Sequence, residues 1–280
     1  MKKLLTNCII ALLSCVILFA QNKQEEFIIQ AALDYADGYY SGDPDRIGGV
    51  LHPDFNKIMA YTLPQTGKCL LQHSSTSDLV ENARIKNGFV EKEKRNIDVT
   101  VLEVRGDVAA AKLTSLHYND FLQLVRFDGE WKIVNVLRTA VPESPQMEPI
   151  IHDTEVEKKV VEEVVHEYFT SVYSGDVDHL EKVIHPEVSI AQLITIPQNG
   201  KYTIRRNGSS FIVELCRAGY LKVPEDKREV KVEMLDIMDE MAFARAKTAR
   251  SNIYFQLQRI NKNWQVINIL SIPILKDISS

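Results

Sequence analysis

The 280-residue chain has few of the residues that announce chemistry on sight. It has four cysteines, at positions 8, 15, 69 and 216, and no C-x-x-C spacing, so a structural zinc site is not expected. No G-x-S-x-G elbow, glycine-rich phosphate loop or H-E-x-x-H helix occurs, which leaves the common hydrolase, nucleotide and metalloprotease signatures without support. No basic run is long enough to follow a phosphate backbone, and the net charge is -5, so nucleic acid is an unpromising partner. Neither a metal nor a cofactor is expected.

Lys2 and Lys3 precede "LLTNCIIALLSCVILFA", and the chain turns polar after Ala20. A basic start, a short apolar run and a small residue at its end make residues 1–20 a signal peptide, with export to the periplasm or outside the cell. An uncleaved anchor helix is the alternative. "LLSC" at Leu12–Cys15 is a poor lipobox, because apolar residues continue beyond the cysteine. Cleavage near Gln21 would leave Cys69 and Cys216. They fall at non-equivalent places in the repeat described next and read as ordinary thiols.

A shift of 133 residues aligns Tyr35–Leu137 with Tyr168–Leu270 without a gap, and 32 of the 103 positions are identical. A register kept over that length means one domain built twice. The expected boundaries are residues 24–141 and 158–275, joined by a proline-rich linker over 142–157. Each copy opens with a helix, seen as the apolar spacing of Val160, Val161, Val164, Val165, Tyr168 and Phe169. A short second helix, a strand and a third helix follow, and then strands such as "DFLQLVRF" and "WKIVNVL". The fold class is α+β, with three helices and a curved antiparallel sheet per domain. "YYSGDPDRIGGVLHP" and its repeat "VYSGDVDHLEKVIHP" supply helix punctuation: Gly42 ends one helix, while Asp43 and Pro44 begin the next. Pro53 is expected to stop that helix, with His52 and His185 structural. Arg105-Gly106-Asp107 reads as a hairpin turn.

A long helix, "SGD…HPD" and a late "YNDFLQLVRFDGEWKIVNVL" resemble the lumazine-binding-like branch of the nuclear-transport-factor-two superfamily. The likeness covers the first copy fully and the second more loosely, since Ile253 stands where Asp120 would be. It implies two cystatin-like cones, each a curved sheet wrapped by helices around a pocket. The superfamily includes isomerases, dehydratases, carriers and interaction domains, so the fold does not choose a function.

The last strand is apolar on both faces, which implies that each sheet's outer face is covered by the other copy's. Strict alternation then places Val134, Val136, Ile267 and Ile269 between the sheets, and the chain resembles a monomeric pseudo-dimer. The leading functional reading is an exported small-molecule-binding protein with one pocket per domain. A scaffold of paired sheets and an isomerase or hydrolyase using His117 and Asp120 are the alternatives. The candidate ligand-binding residues are Tyr35, His117, Asn119, Trp131 and Asn135 in the first copy, and Tyr168, Arg250, Asn252, Trp264 and Asn268 in the second. Arg250, a fixed cation where the first copy has His117, suggests that an anionic ligand would prefer the second domain.

Overall fold

A computed structural model describes residues 2–63, 65–66, 68–141 and 154–274, with the side chains of 2–21, 62 and 154 outside the description. The side chains of the expected signal peptide and most of the expected linker therefore lie outside the described residues. In the first domain, helices α1 (Lys2–Ser41), α2 (Pro44–Val50) and α3 (Thr76–Arg84) accompany six strands. These are β1 (Leu51–Thr62), β2 (Cys69–Ser74), β3 (Asp98–Arg105), β4 (Val108–Thr114), β5 (Tyr118–Phe127) and β6 (Glu130–Ala140). The second domain repeats the order with α4 (Thr154–Ser174), α5 (Val177–Val183), β7 (Ile184–Thr195), β8 (Tyr202–Asn207) and α6 (Ser209–Arg217). It ends with β9 (Val230–Met238), β10 (Met241–Thr248), β11 (Ser251–Ile260) and β12 (Asn263–Pro273).

The sheets run β2-β1-β6-β5-β4-β3 and β8-β7-β12-β11-β10-β9. All pairings are antiparallel except β1 with β6 and β7 with β12, which are parallel. The repeated punctuation works locally as expected. Gly42 and Gly175 sit at φ +70° and +81°, a region open to glycine at little cost. Asp43 and Asp176 each accept a hydrogen bond from a backbone N–H in the first turn of the next helix, at 3.0 Å. That helix stops at Val50, and Pro53 lies inside β1. His52 and His185 use Nδ1 to accept from the backbone N–H two residues on, and burial lowers both pKa values, so they act as neutral acceptors. The Arg-Gly-Asp tripeptide is the β3–β4 turn, with Arg105 paired to Glu103 and Asp107 to Arg126.

One local irregularity redirects side chains throughout. Opposite Gln123 and Leu124, β6 carries three residues, Ile133, Val134 and Asn135, and Val134 is the extra one. β12 repeats this bulge with Ile267. A bulge moves the following residues to the other face. Ile133 and Val136 therefore join the first cone's core, and Val134 and Leu137 join the layer between the sheets. Val266 and Ile269 likewise enter the second cone, with Ile267 and Leu270 between the sheets. This corrects the strict alternation: Val136 and Ile269 are cone residues, whereas Val134 and Ile267 do lie between the sheets.

The two sheets pack face to face around Ile58, Phe121, Val134 and Leu137 from one domain and Leu193, Phe243, Ile267 and Leu270 from the other. Several of their polar contacts come in pairs related by the internal repeat. Gln123 donates to the Tyr254 carbonyl at 3.3 Å, and Gln256 to the Phe121 carbonyl at 2.8 Å. Lys112 meets Asp236 at 2.6 Å, and Arg245 meets Glu103 at 3.3 Å. Such reciprocity is the mark of a two-fold interface, here within one chain.

Candidate ligand site in the second cone

The cone of the first domain is filled by its own charged side chains. Across β5 and β6, Asp120 and Arg138 are register partners, and both Asp120 oxygens accept from the guanidinium at 2.7 Å. Asp120 is fully buried and Arg138 is 5% exposed. Burial works against the Arg138 charge, but Asp120 together with Tyr35 and Tyr118 more than offsets it and holds the pKa above the ordinary value. Arg138 also donates to the Tyr35 hydroxyl at 3.0 Å, and its guanidinium lies 4.1, 5.7 and 5.9 Å from the rings of Tyr118, Tyr35 and Tyr39. Such a ring set suits a cation, and here the cation is the domain's own. Burial, with Arg138 second, lowers the pKa of nearby Lys57 to about 7. The Tyr39 ring is seated on Gly88, where an added Cβ would come within 2.1 Å of it.

The second domain changes nearly every one of these residues. At the positions of Lys57, Asp120 and Arg138 it has Ile190, Ile253 and Ser271, and at those of Tyr39 and Tyr118 it has Val172 and Ser251. Ile253 and Ser271 keep the same register partnership across β11 and β12. What is gone is the bulk and the ion pair. The space is a cavity of about 610 Å³, lined by these five residues with Tyr168, Phe169, Tyr173, Gln192, Phe211, Ile212, Leu215, Tyr220 and Ile269. Lys222, Lys227, Glu229 and Arg250 are the charged residues of the lining. That volume and largely apolar wall fall within the range of small-molecule sites. A second concavity of about 510 Å³ lies where the Asp128-Gly129 turn faces Asn199–Tyr202. Its charged groups are already paired, Arg126 with Asp107 and Lys201 with Asp128.

Of the ten sequence candidates, Tyr168 and Arg250 line the large cavity. Tyr35 is committed to Arg138. Strict alternation along β5 would put the candidates His117 and Asn119 on one face with Phe121, and that face is not the cone's: Phe121 lies between the sheets, and Asn119 donates to Asp239 of the other domain at 2.9 Å. Its neighbours Tyr118 and Asp120 occupy the cone instead. His117 is exposed in the turn before β5, with its ring 6.2 Å from that of Tyr40. Asn252 is half-buried and does not line the cavity. Asn135 and Asn268, turned by the bulges, donate to Gln123 and Gln256 at 2.7 and 2.9 Å and so anchor the inter-sheet bonds. Asn135 also accepts from Arg206 at 2.8 Å.

Both tryptophans secure the first helix of their domain to the sheet. Trp131 Nε1 donates to Gln24 at 3.1 Å and Trp264 Nε1 to Glu157 at 2.9 Å, while Arg126 and Arg259 lie against the rings. Sequence reasoning missed Lys57 and Arg138. The signal was available in the non-identical pairs of the repeat, where a charge in one copy faces an apolar or small residue in the other.

This pair of cones, one filled and one open, defines a tandem α+β protein of the nuclear-transport-factor-two-like, cystatin-like class. The family model described as "Putative lumazine-binding" matches residues 23–137 and again 156–270, and the chain belongs to that family. Among solved structures, an NTF2-like protein of unknown function from Shewanella baltica is 16% identical, covering 44% of this chain and 97% of its own, with a TM-score of 0.36. An NTF2-like protein with a cystatin-like fold from Novosphingobium aromaticivorans is 14% identical over 49% and 95%, with a TM-score of 0.34. A ketosteroid isomerase-like protein from Erwinia carotovora atroseptica is 14% identical over 43% and 98%, with a TM-score of 0.33. No curated protein matches the chain.

Proposed function

We propose that the chain is an exported small-molecule-binding protein whose ligand site is the cone of the second domain. The observation that carries the reading is the cavity of about 610 Å³ at the place where the first domain holds its Asp120–Arg138 pair. In this reading the first domain is a closed structural counterpart that covers the second domain's outer sheet face. The family's description as lumazine-binding supports a ligand-binding role in general terms. Export rests on the basic start, apolar run and Ala20 of the first twenty residues. Of the catalytic alternative's two residues, Asp120 is bonded through both oxygens to Arg138, and His117 is exposed in the turn before β5. The sheet faces that a scaffold would offer to a partner are already paired within the chain.

The test transplants the plug. Ile253→Asp with Ser271→Arg places the first domain's ion pair at the same register in the second. Native mass spectrometry of protein purified gently from its own host should show a small-molecule mass on the wild type that the double variant lacks. An identical retained mass on both proteins would place binding elsewhere and sink this reading.

A further inference from the structure

The lining of the second cone also indicates the charge of what it takes, an inference that rests on the ligand-site reading above. Burial separates the lining into a floor and a rim. Phe169, Val172, Ile190 and Ile269 are each no more than 5% exposed, and they form an apolar floor. Lys222, Lys227 and Arg250 are exposed at the rim with one carboxylate, Glu229. None of these three cations makes an ion pair among the described residues. Arg250 is held in the turn between β10 and β11, where its N–H donates to Thr248 Oγ1 at 3.2 Å and its carbonyl accepts from Ile274 at 2.8 Å. Its backbone is therefore fixed while its guanidinium stays available.

Three cations against one carboxylate give the mouth a positive potential, which attracts an anion. An anion carried down to the floor would lose its hydration among aliphatic and aromatic side chains. At the rim it keeps part of that hydration and meets a planar donor set suited to oxyanions. The first domain does not repeat this rim: His117, Phe89 and Asn96 stand at the positions of Arg250, Lys222 and Glu229, and only Lys94 matches Lys227. We infer that the second cone takes a small amphiphile, with an apolar body in the floor and an anionic head group at Arg250.

Two dyes sharing one body separate this inference from the reading beneath it. N-phenyl-1-naphthylamine is neutral, and 8-anilinonaphthalene-1-sulfonate is the same body with an anionic group. Wild-type protein should bind the sulfonate more tightly, with an affinity that falls as salt is raised. Arg250→Leu should weaken sulfonate binding about tenfold, as loss of a hydrogen bond to a charged group implies, and leave the neutral dye within about twofold. Arg250→Lys should restore most of the loss. Decanoate and decyl phosphate should displace the sulfonate dye where decanol does not, and the better of the two names the head group. Equal binding of both dyes, unchanged in Arg250→Leu, would overturn the anionic-head inference while leaving the pocket in place. Unchanged binding of both dyes to the Ile253→Asp, Ser271→Arg protein would remove the pocket reading itself.

Discussion

Replacing Lys57 by methionine should stabilise the protein near pH 6. Lys57 pairs with Val136 across β1 and β6, faces the filled first cone and is 8% exposed. Burial first and Arg138 second lower its pKa from 10.5 to about 7, against the weaker pull of Asp120 and Asp78. Because the folded pKa lies below the unfolded one, the unfolded chain holds the extra proton between about pH 7 and 10.5. The cost to stability is therefore full below about pH 7 and is relieved as the pH rises towards 10.5. At about 1.4 kcal/mol per pH unit, that interval sets an upper bound of roughly 5 kcal/mol. Methionine keeps the length and apolar contacts of the lysine stem, so we expect a gain on the order of 2–4 kcal/mol at pH 6. Urea unfolding of both proteins, followed by tryptophan fluorescence at pH 6 and pH 9.5, measures the gain directly. The difference should shrink by more than half at the higher pH. A variant no more stable than wild type at pH 6, or a difference that ignores pH, would refute the account of the first cone.

Val134→Asp with Ile267→Asp puts two unpaired charges between the sheets, where both residues are fully buried, and should cost several kcal/mol in the same unfolding assay. An unfolding midpoint equal to that of wild type would mean that the bulged residues do not hold the two sheets together. The mature protein should begin near Gln21 and lie outside the cytoplasm, which N-terminal sequencing of native material checks. Met1 on soluble cytoplasmic protein would remove the export proposal.

The sequence by itself determined the repeat, and with it two copies of one α+β domain. It also placed the helix boundaries at Gly42, Asp43 and Pro44 and the hairpin turn at Arg105-Gly106-Asp107, because these depend on φ/ψ preferences and caps that act within a few residues. It showed that both faces of the last strand are buried. It did not show which residue goes to which face, because the bulges at Val134 and Ile267 carry no glycine or proline to mark them, and each reverses the alternation that follows. Only the tertiary structure decided that Asn135 and Asn268 would bridge sheets instead of lining pockets. It alone brought Lys57, Asp120 and Arg138, from three different strands, into one cone. Each is an ordinary charged residue in its own segment. Whether a cone is filled or open depends on side chains meeting across strands far apart in the chain, and that is a matter of packing and desolvation which no local pattern encodes.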